Sequence, residues 1–340
     1  MLAMLSLIHG AQMVLGWTWR TMLHGEEQFF NGLLAHDGGP NPALEEYRQI
    51  ACDFTKLSGQ GFPLHRKPEI AVAFNQENQW IVQYHPVQFR QAYSAAIIES
   101  QRALFDENRD YNMVRLEDMR RNYRLLIIPD GIIMNEATAD AVREYVSQGG
   151  TVWMTGYSAM LNGGIGAFDT PRPGLLSDVF GLRVAGFDRA GEPDEHGNTI
   201  QKTRRLSVDG ETVFIDTDYS EHIELRGAEA FAIYDNGECA VSAHRYGKGA
   251  AYYLASQSNA DLFRWMLKRL SGQMGTAEVS KVPEGVVVRR MDARRVFYLN
   301  LTGRDVIIPM EHPGVGLLEA SSHDTCLKLA PYGYEMICPI

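Results

Sequence analysis

The residues whose types and spacing suit chemistry lie near the start of the chain. Residues 16–20 read Gly-Trp-Thr-Trp-Arg, and residues 25–30 read Gly-Glu-Glu-Gln-Phe-Phe. Each carboxylate oxygen of Glu27 can accept hydrogen bonds from adjacent hydroxyls. The faces of Trp17 and Trp19 can stack on a sugar ring. This segment is therefore the first candidate for contact with a ligand.

Structural roles compete with that interpretation. Aromatic side chains on a strand more often pack in a core than bind a ligand, so Trp17 and Trp19 are predicted core residues. Arg20 is predicted to be a structural ion-pair partner, and Glu26 is predicted to be solvated. Both interpretations of the two tryptophans stay open at the level of sequence.

The elements around this segment follow from apolar spacing. A stripe at helical spacing predicts a helix that ends near residues 9–10, and a buried strand at residues 13–15 follows. Residues 37–40 predict an Asp-Gly turn, and residues 42–57 predict a second helix with Pro42 near its first turn. The predicted stripe of that second helix is Leu44, Tyr47, Ile50, Ala51 and Phe54.

The middle of the chain alternates strands and helices. Near-continuous apolar strands between helices indicate a parallel sheet that is covered on both faces. Asn135 is expected to cap one helix, and residues 157–247 are expected to be insertions at one end of the sheet. The predicted strands lie at residues 69–74, 112–116, 125–128, 151–154 and 250–255, and the predicted helices begin at Pro86, Asn135 and Asn259.

The remaining residues, from about 275, lose helical periodicity. Short apolar runs separated by Gly, Pro and Asn predict a small antiparallel sandwich or open barrel. The predicted strands lie at residues 286–288, 296–299, 305–308, 316–318 and 334–337.

Composition bounds the class of protein. The chain has 340 residues, 45% hydrophobic and 22% charged, which is typical of soluble globular proteins and predicts two or three domains. Its net charge of −10 argues against nucleic acid or an anionic membrane surface as a partner. No apolar run reaches the roughly 18 residues of a membrane span. The four cysteines show no Cys-x-x-Cys spacing, so we expect free thiols in a reducing cytoplasm, with no metal and no cofactor.

An amidotransferase-like active site is an alternative for the middle region, and its residues argue against it. Such a site needs a cysteine on a sharp turn after a strand, with a histidine partner. The turns after the predicted strands carry Asn75, Asp130 and residues 156–158, and none has a cysteine. Ser158 is interpreted as a turn hydroxyl. His222 and His244 have no partners at metal-ligand spacing.

Taken together, the chain resembles family 42 glycoside hydrolases, the microbial β-galactosidases. The resemblance is carried by residues 16–38, which are similar to the last β/α unit of the family's barrel, and by three stretches of the middle region in the family's order. Those stretches are residues 124–129, 145–151 and 173–182. It implies an α/β fold in which a flavodoxin-like, class I glutamine amidotransferase-like parallel sheet domain follows a remnant of a (β/α)₈ barrel and precedes a small antiparallel β domain. The implied domains are residues 1–64, 65–274 and 275–340.

The resemblance also implies a chemistry. Family members hydrolyse terminal β-galactosides with retention, using two glutamates about 5–5.5 Å apart. In the family both glutamates precede the segment that begins this chain, so we expect no catalytic residue here. Glu27 matches a family glutamate that binds galactose hydroxyls, Phe30 stands where the family usually has histidine, and Trp19 is the candidate stacking residue.

Two hypotheses of function follow from the resemblance. In the first, the chain is the part of a β-galactosidase that carries oligomerisation and a rim of the sugar site. Its implied partners are a β-galactoside or oligosaccharide, further copies in a homotrimer or other homo-oligomer, and a separate barrel fragment. In the second, it is a non-catalytic assembly or carbohydrate-binding module of amidotransferase-like fold. A lone barrel strand has unpaired edges, so residues 1–40 are expected to be poorly ordered, rearranged or covered by a partner chain.

Overall fold

The chain forms two compact units in the computed structural model. The terminal unit comprises the described residues of 1–67 and 279–340, and the central unit comprises those of 68–278. The first and last of the three predicted regions thus share one unit. The structure describes residues 1–62, 68–85, 89, 93–118, 123–189, 202–208, 210–274, 282–310 and 312–340.

The terminal unit begins with two helices, α1 (Leu2–Ile8) and α2 (Ala43–Gly59). The first helix confirms the predicted stripe in part, since Met4 and Ile8 are buried. The predicted strand at residues 13–15 is wrong, because that segment carries no strand pairing. A strand requires a neighbour for its ladder, and none lies beside it within the described residues.

Helix α2 confirms its predicted stripe in part, because Leu44 is buried and Ile50 and Phe54 are half-buried, but the other two stripe residues are exposed. Tyr47 is 40% exposed, whereas Asp53 and Leu57 are buried. The buried carboxylate of Asp53 accepts a hydrogen bond from the Tyr334 hydroxyl at 2.8 Å. The buried face of α2 therefore includes a polar residue that a distant hydroxyl satisfies.

The described residues of the central unit form eleven strands and five α-helices. In chain order they are β1 (Ile70–Ala73), α3 (Gln76–Tyr84), α4 (Tyr93–Asp106), β2 (Tyr111–Val114), β3 (Leu125–Ile128), α5 (Glu136–Ser147), β4 (Thr151–Thr155), α6 (Ser177–Phe180), β5 (Leu182–Arg189), β6 (Lys202–Val208), β7 (Glu211–Thr217), β8 (Tyr219–Leu225), β9 (Glu229–Tyr234), β10 (Cys239–Tyr246), β11 (Gly249–Leu254) and α7 (Ala260–Met274).

These strands build a nine-stranded sheet in the order β2-β1-β3-β4-β11-β10-β9-β6-β7. The first five strands pair in parallel, and the other four continue the sheet with antiparallel pairs. Strands β5 and β8 form a separate antiparallel pair. The predicted parallel sheet is thus confirmed, but four strands of residues 157–247, which were predicted to be insertions at one end, extend this sheet: β6, β7, β9 and β10.

Burial explains why the parallel strands read as apolar runs. Every residue of β1 and β3 is buried. Helices cover one face through Leu104 and Phe263 and the other through Val142 and Phe180. A strand covered on both faces has no solvent side on which to place polar residues.

Two local predictions for the helices met different outcomes. Asn135 caps α5, where its side chain accepts from the backbone of Thr138 in a reciprocal capping box. Pro86, the predicted start of the next helix, lies outside the described residues; Phe89 lies in no helix, and the described helix of this region is α4, which begins at Tyr93. Helix α3 was missed, because its Gln-Glu-Asn-Gln opening carries little apolar periodicity.

The terminal unit is completed by antiparallel strands, as predicted. The strands are β12 (Val286–Arg290), β13 (Val296–Asn300), β14 (Val306–Pro309), β15 (Gly314–Gly316), β16 (Ser322–His323), β17 (Cys326–Leu329) and β18 (Tyr334–Pro339). Five of them form a sheet in the order β12-β13-β18-β15-β16, and β14 pairs with β17. The strand that was predicted at residues 316–318 is β15, which lies two residues earlier.

None of the helices in the described ranges combines the length and the apolar character that crossing a membrane requires.

Candidate functional site

Hydrogen bonds to residues 32–34 hold the segment around Trp17 and Trp19, which belongs to no sheet. Leu33 and Leu34 donate to the carbonyls of Thr18 and Trp19 at 3.0 and 2.8 Å. The buried Thr21 hydroxyl accepts from the Gly32 amide at 2.9 Å and donates to the Leu34 carbonyl at 3.0 Å. Two extended stretches therefore lie side by side with one isolated bridge between them.

Glu27 lies in a single 3₁₀ turn, Glu26–Phe29, and is half-buried. Phe30 follows it and is 57% exposed. The Phe30 amide donates to the Glu27 carbonyl at 3.0 Å, but among the described residues no side-chain hydrogen bond, ion pair or ring contact joins Glu27, Trp19 and Phe30 to one another. The structure places the three residues in one loop without assembling them into a closed pocket.

The two tryptophans contradict the core interpretation. Trp17 is 71% exposed and Trp19 is 65% exposed. Arg20 donates to the His36 carbonyl instead of serving the predicted ion-pair role. Neighbouring apolar side chains are exposed as well, and they are Met13, Leu15, Leu23, Phe29 and Phe30. We call this set, with the two tryptophans, the apolar loop surface.

Hydrogen exchange tests how this surface behaves. Residues 13–19 lie outside every helix and strand, and no backbone hydrogen bond from their amides is found among the described residues, so these amides should exchange at nearly the rate of an unstructured peptide. The amides of β3 and β4 lie in the middle of a buried sheet and should be strongly protected. Mass spectrometry on the isolated chain measures both. Equal protection of the two regions in a monomer would contradict the expectation.

The second candidate location is the carboxyl edge of the parallel sheet, where open α/β sheets bind ligands. Tyr157 occupies the sharp turn after β4 with a φ of 64°, the backbone conformation that a nucleophile elbow imposes. Its ring is 4% exposed and stacks on Tyr219 with centroids 3.7 Å apart. The position that would display a nucleophile therefore holds a buried phenol.

The cysteine of this unit is not a substitute nucleophile. Cys239 is buried in β10, and burial raises the pKa of its thiol to about 11. The thiol thus stays protonated at neutral pH, whereas a reactive cysteine needs its thiolate. Ser158, as predicted, serves a turn, because its buried hydroxyl accepts from the Gly131 amide at 2.9 Å.

A buried ion-pair network lies beside the stacked tyrosines. Glu221 accepts from the Arg172 guanidinium at 3.0 Å, the Tyr219 hydroxyl at 2.7 Å and the Tyr253 hydroxyl at 2.6 Å. Its side chain is fully buried. Burial, followed by the Glu221 charge, raises the pKa of both phenols far above the ordinary value. The network joins β8 to β11 and to the segment before α6, and both carboxylate oxygens of Glu221 accept hydrogen bonds.

Asp130 is the second buried carboxyl group at this edge. It follows β3 with a φ of 43°, and its Oδ1 accepts from the Thr155 hydroxyl at 2.6 Å and from both the amide and the hydroxyl of Ser258. Burial outweighs these hydrogen bonds and raises the pKa of Asp130 to about 6. The pairing joins β3, β4 and the residues before α7.

Two histidines lie elsewhere on the central unit. The His222 ring contacts Glu238 through Nδ1 at 2.6 Å and Asp188 through Nε2 at 3.3 Å. Burial opposes the charged ring, but the two carboxylates prevail and raise the pKa of His222. His244 bonds the Val179 carbonyl through Nδ1 at 2.8 Å. In the described part of the chain, no group of three ligating side chains has the geometry of a metal site.

Sequence reasoning missed most of this network. Asp130 carried a signal, since it directly follows an apolar parallel strand. Glu221 carried none, because Arg172 is 49 residues away and the local sequence does not indicate which carboxylate it meets.

Comparison with known proteins gives the family. The family described as "Beta-galactosidase trimerisation domain" matches residues 68–277, which is nearly the whole central unit. The chain is 23% identical over 343 residues to the β-galactosidase LacZ of Heyndrickxia coagulans, covering 97% of this chain and 49% of that protein. It is 24% identical to the β-galactosidase BbgII of Bifidobacterium bifidum, covering 96% and 49%.

Solved structures share the fold. A GH42 β-galactosidase of G. stearothermophilus, Gan42B, superposes with a TM-score of 0.87 at 22% identity, covering 99% of this chain and 50% of that chain. The β-galactosidase of Halorubrum lacusprofundi gives the same TM-score and identity, covering 99% and 49%. The chain spans about half the length of the proteins it matches. The resemblance to the carboxyl-terminal part of family 42 glycoside hydrolases is confirmed, and the chain belongs to the β-galactosidase trimerisation domain family.

Proposed function

We propose that this chain is the carboxyl-terminal half of a β-galactosidase-like glycoside hydrolase and carries its self-assembly. The observation that supports this most is the family match across residues 68–277, together with relatives of which the chain spans about half. In this proposal a barrel fragment supplies the two glutamates of retaining hydrolysis. The natural substrate class is terminal β-galactosides, and the site of action is the cytoplasm.

The geometry of the central unit agrees with a role in assembly. Tyr157 fills the elbow position and Glu221 is saturated by donors, so the carboxyl edge offers no exposed nucleophile among its described residues. The five parallel strands lie in the order 2-1-3-4-5, the order of flavodoxin-like folds. On that basis we propose the flavodoxin-like and amidotransferase-like descent of this unit.

The terminal unit supports a contact with a barrel. Large exposed apolar side chains cost free energy in water, at about 25 cal/mol for each Å² that a partner would cover. Trp17, Trp19 and Phe29 of the apolar loop surface are exposed to water. We propose that a barrel fragment covers it, that Glu27 then binds sugar hydroxyls and that Trp19 and Phe30 line the same rim. In this proposal the barrel remnant is residues 1–64, the assembly domain is residues 65–274 and the β domain is residues 275–340.

Complementation tests the proposal. A barrel fragment of a family 42 relative, ending before the segment equivalent to residue 1, is co-expressed with this chain and assayed with a chromogenic β-galactoside. We expect activity in the mixture that exceeds the sum of the two parts, and a loss of that gain when Trp17 and Trp19 are both replaced by Asp. Absence of any gain, with both fragments folded and soluble, would contradict the role in hydrolysis.

The alternative is a non-catalytic assembly or carbohydrate-binding module. It is favoured by the same saturated carboxyl edge and would be supported by an assembled chain that binds galactosides without complementing a barrel. Titration calorimetry of the isolated chain with galactose and lactose, together with the complementation assay, distinguishes this alternative from the role in hydrolysis.

A further inference from the structure

The carboxyl edge of the central sheet is covered by a helix. Side chains of α3 join the buried cluster over that edge, among them Ile81 and Val82, which pack with Tyr157 and Tyr219. In open α/β sheets this edge forms the ligand groove. Here side chains of α3 pack over that edge, and the opposite face of α3 lies on the surface of the unit.

That outward face is aromatic. Trp80 is 61% exposed and Tyr84 is 80% exposed. The two residues are four positions apart, which places them on adjacent turns of the same helix face. The His85 ring lies edge-on to Tyr84 with centroids 5.0 Å apart. We call Trp80, Tyr84 and His85 the α3 aromatic face.

The face is presented rigidly. Asn75 caps α3 by accepting from the Glu77 amide at 2.7 Å. On the inward side, the buried Asn78 side chain accepts from the Ile133 amide at 2.9 Å. A helix fixed at its start and on its inner face loses little conformational entropy when its outer face is covered.

We propose that the α3 aromatic face is a contact surface between copies of this chain. Trp and Tyr dominate the binding energy of protein interfaces, because they bury large area at low entropic cost. A second copy is the occupant, since the family that matches this unit is described by its trimerisation. The inference rests on the proposed assembly role and adds its location. A cyclic trimer uses heterologous contacts, so this face meets a different surface of the next copy.

Sedimentation velocity on the full chain tests the location. The variant Trp80→Ala with Tyr84→Ala changes two exposed side chains of a helix to the best helix former, so it should fold; circular dichroism checks this. We expect its dissociation constant for assembly to rise at least about 100-fold. Phe214→Ala is the matched control, because Phe214 is also an aromatic residue, 59% exposed, on the edge strand β7. The control should assemble as the parent does.

The outcomes separate the two proposals. A parent chain that stays monomeric at every concentration overturns the assembly role and this inference with it. A parent that assembles and a double variant that assembles equally well overturn only the location. A concentration-dependent blue shift of tryptophan emission that Trp80→Phe abolishes, while assembly persists, supports the location independently.

Discussion

Replacing Glu221 by Gln is expected to lower the melting temperature of the central unit by about 6–12 °C. Removing one partner of a buried ion pair costs roughly 3 kcal/mol, and a unit of this size loses about 2–4 °C for each kcal/mol. The substitution leaves the Arg172 guanidinium, whose side chain is only 19% exposed, without its counter-charge.

The hydrogen bonds of Glu221 sharpen the expectation. An amide nitrogen in place of one carboxylate oxygen faces the hydroxyl of Tyr253 or Tyr219, both of which donate to the native group. At least one phenol must rotate or lose its acceptor in the buried site. The change keeps the side-chain shape, so a cavity does not account for any loss of stability.

Glu224→Gln is the matched control for this measurement. Glu224 lies on the same strand and pairs with Arg183, but its side chain is 40% exposed. Exposed ion pairs contribute little, so the melting temperature should change far less. Thermal unfolding followed by circular dichroism compares both variants with the parent. Equal shifts in the two variants would refute the buried network as a stabilising element.

Asp130→Asn is expected to remove a pH dependence from the stability of the central unit. Burial raises the pKa of Asp130 to about 6 in the folded chain, above the ordinary value near 4. The folded state therefore holds the proton more tightly than the unfolded state. The stabilising effect of that proton is fully present below about pH 4 and is lost as pH rises through about 6.

The size of the effect follows from the shift of about two pH units, which corresponds to about 3 kcal/mol. The asparagine variant does not titrate, so its free energy of unfolding relative to the parent should rise by about that amount from pH 4 to pH 7.5. The Oδ1 atom of the asparagine can still accept hydrogen bonds from Thr155 and Ser258, so the contact between β3, β4 and the residues before α7 is kept.

Urea unfolding at a series of pH values measures this difference, because all other groups titrate alike in both proteins and cancel. Asp235→Asn, at an exposed aspartate of the same unit, controls for the substitution itself. A difference between parent and Asp130→Asn that stays constant across the series would show that Asp130 does not retain its proton.

Much of the fold could be predicted because its signals are local. The buried runs at residues 70–73 and 125–128 indicated parallel strands, and Asn135 indicated a helix start. The antiparallel nature of residues 286–339 followed from short apolar runs and turn residues. Helix α3 and the burial of Asp53 on α2 could not be predicted in this way, since a polar side chain such as Asp53 is buried only when a distant partner satisfies it.

By itself, the sequence determined the class of fold, the five parallel strands and the family, because hydrophobic periodicity and short motifs are local features of the chain. Only the tertiary structure decided which side chains share a site. It filled the elbow with Tyr157, saturated Glu221 with donors from distant segments and left Trp17, Trp19 and Trp80 in solvent. Burial and pairing depend on what lies across a contact, and a linear pattern does not contain the distance between residues such as Arg172 and Glu221.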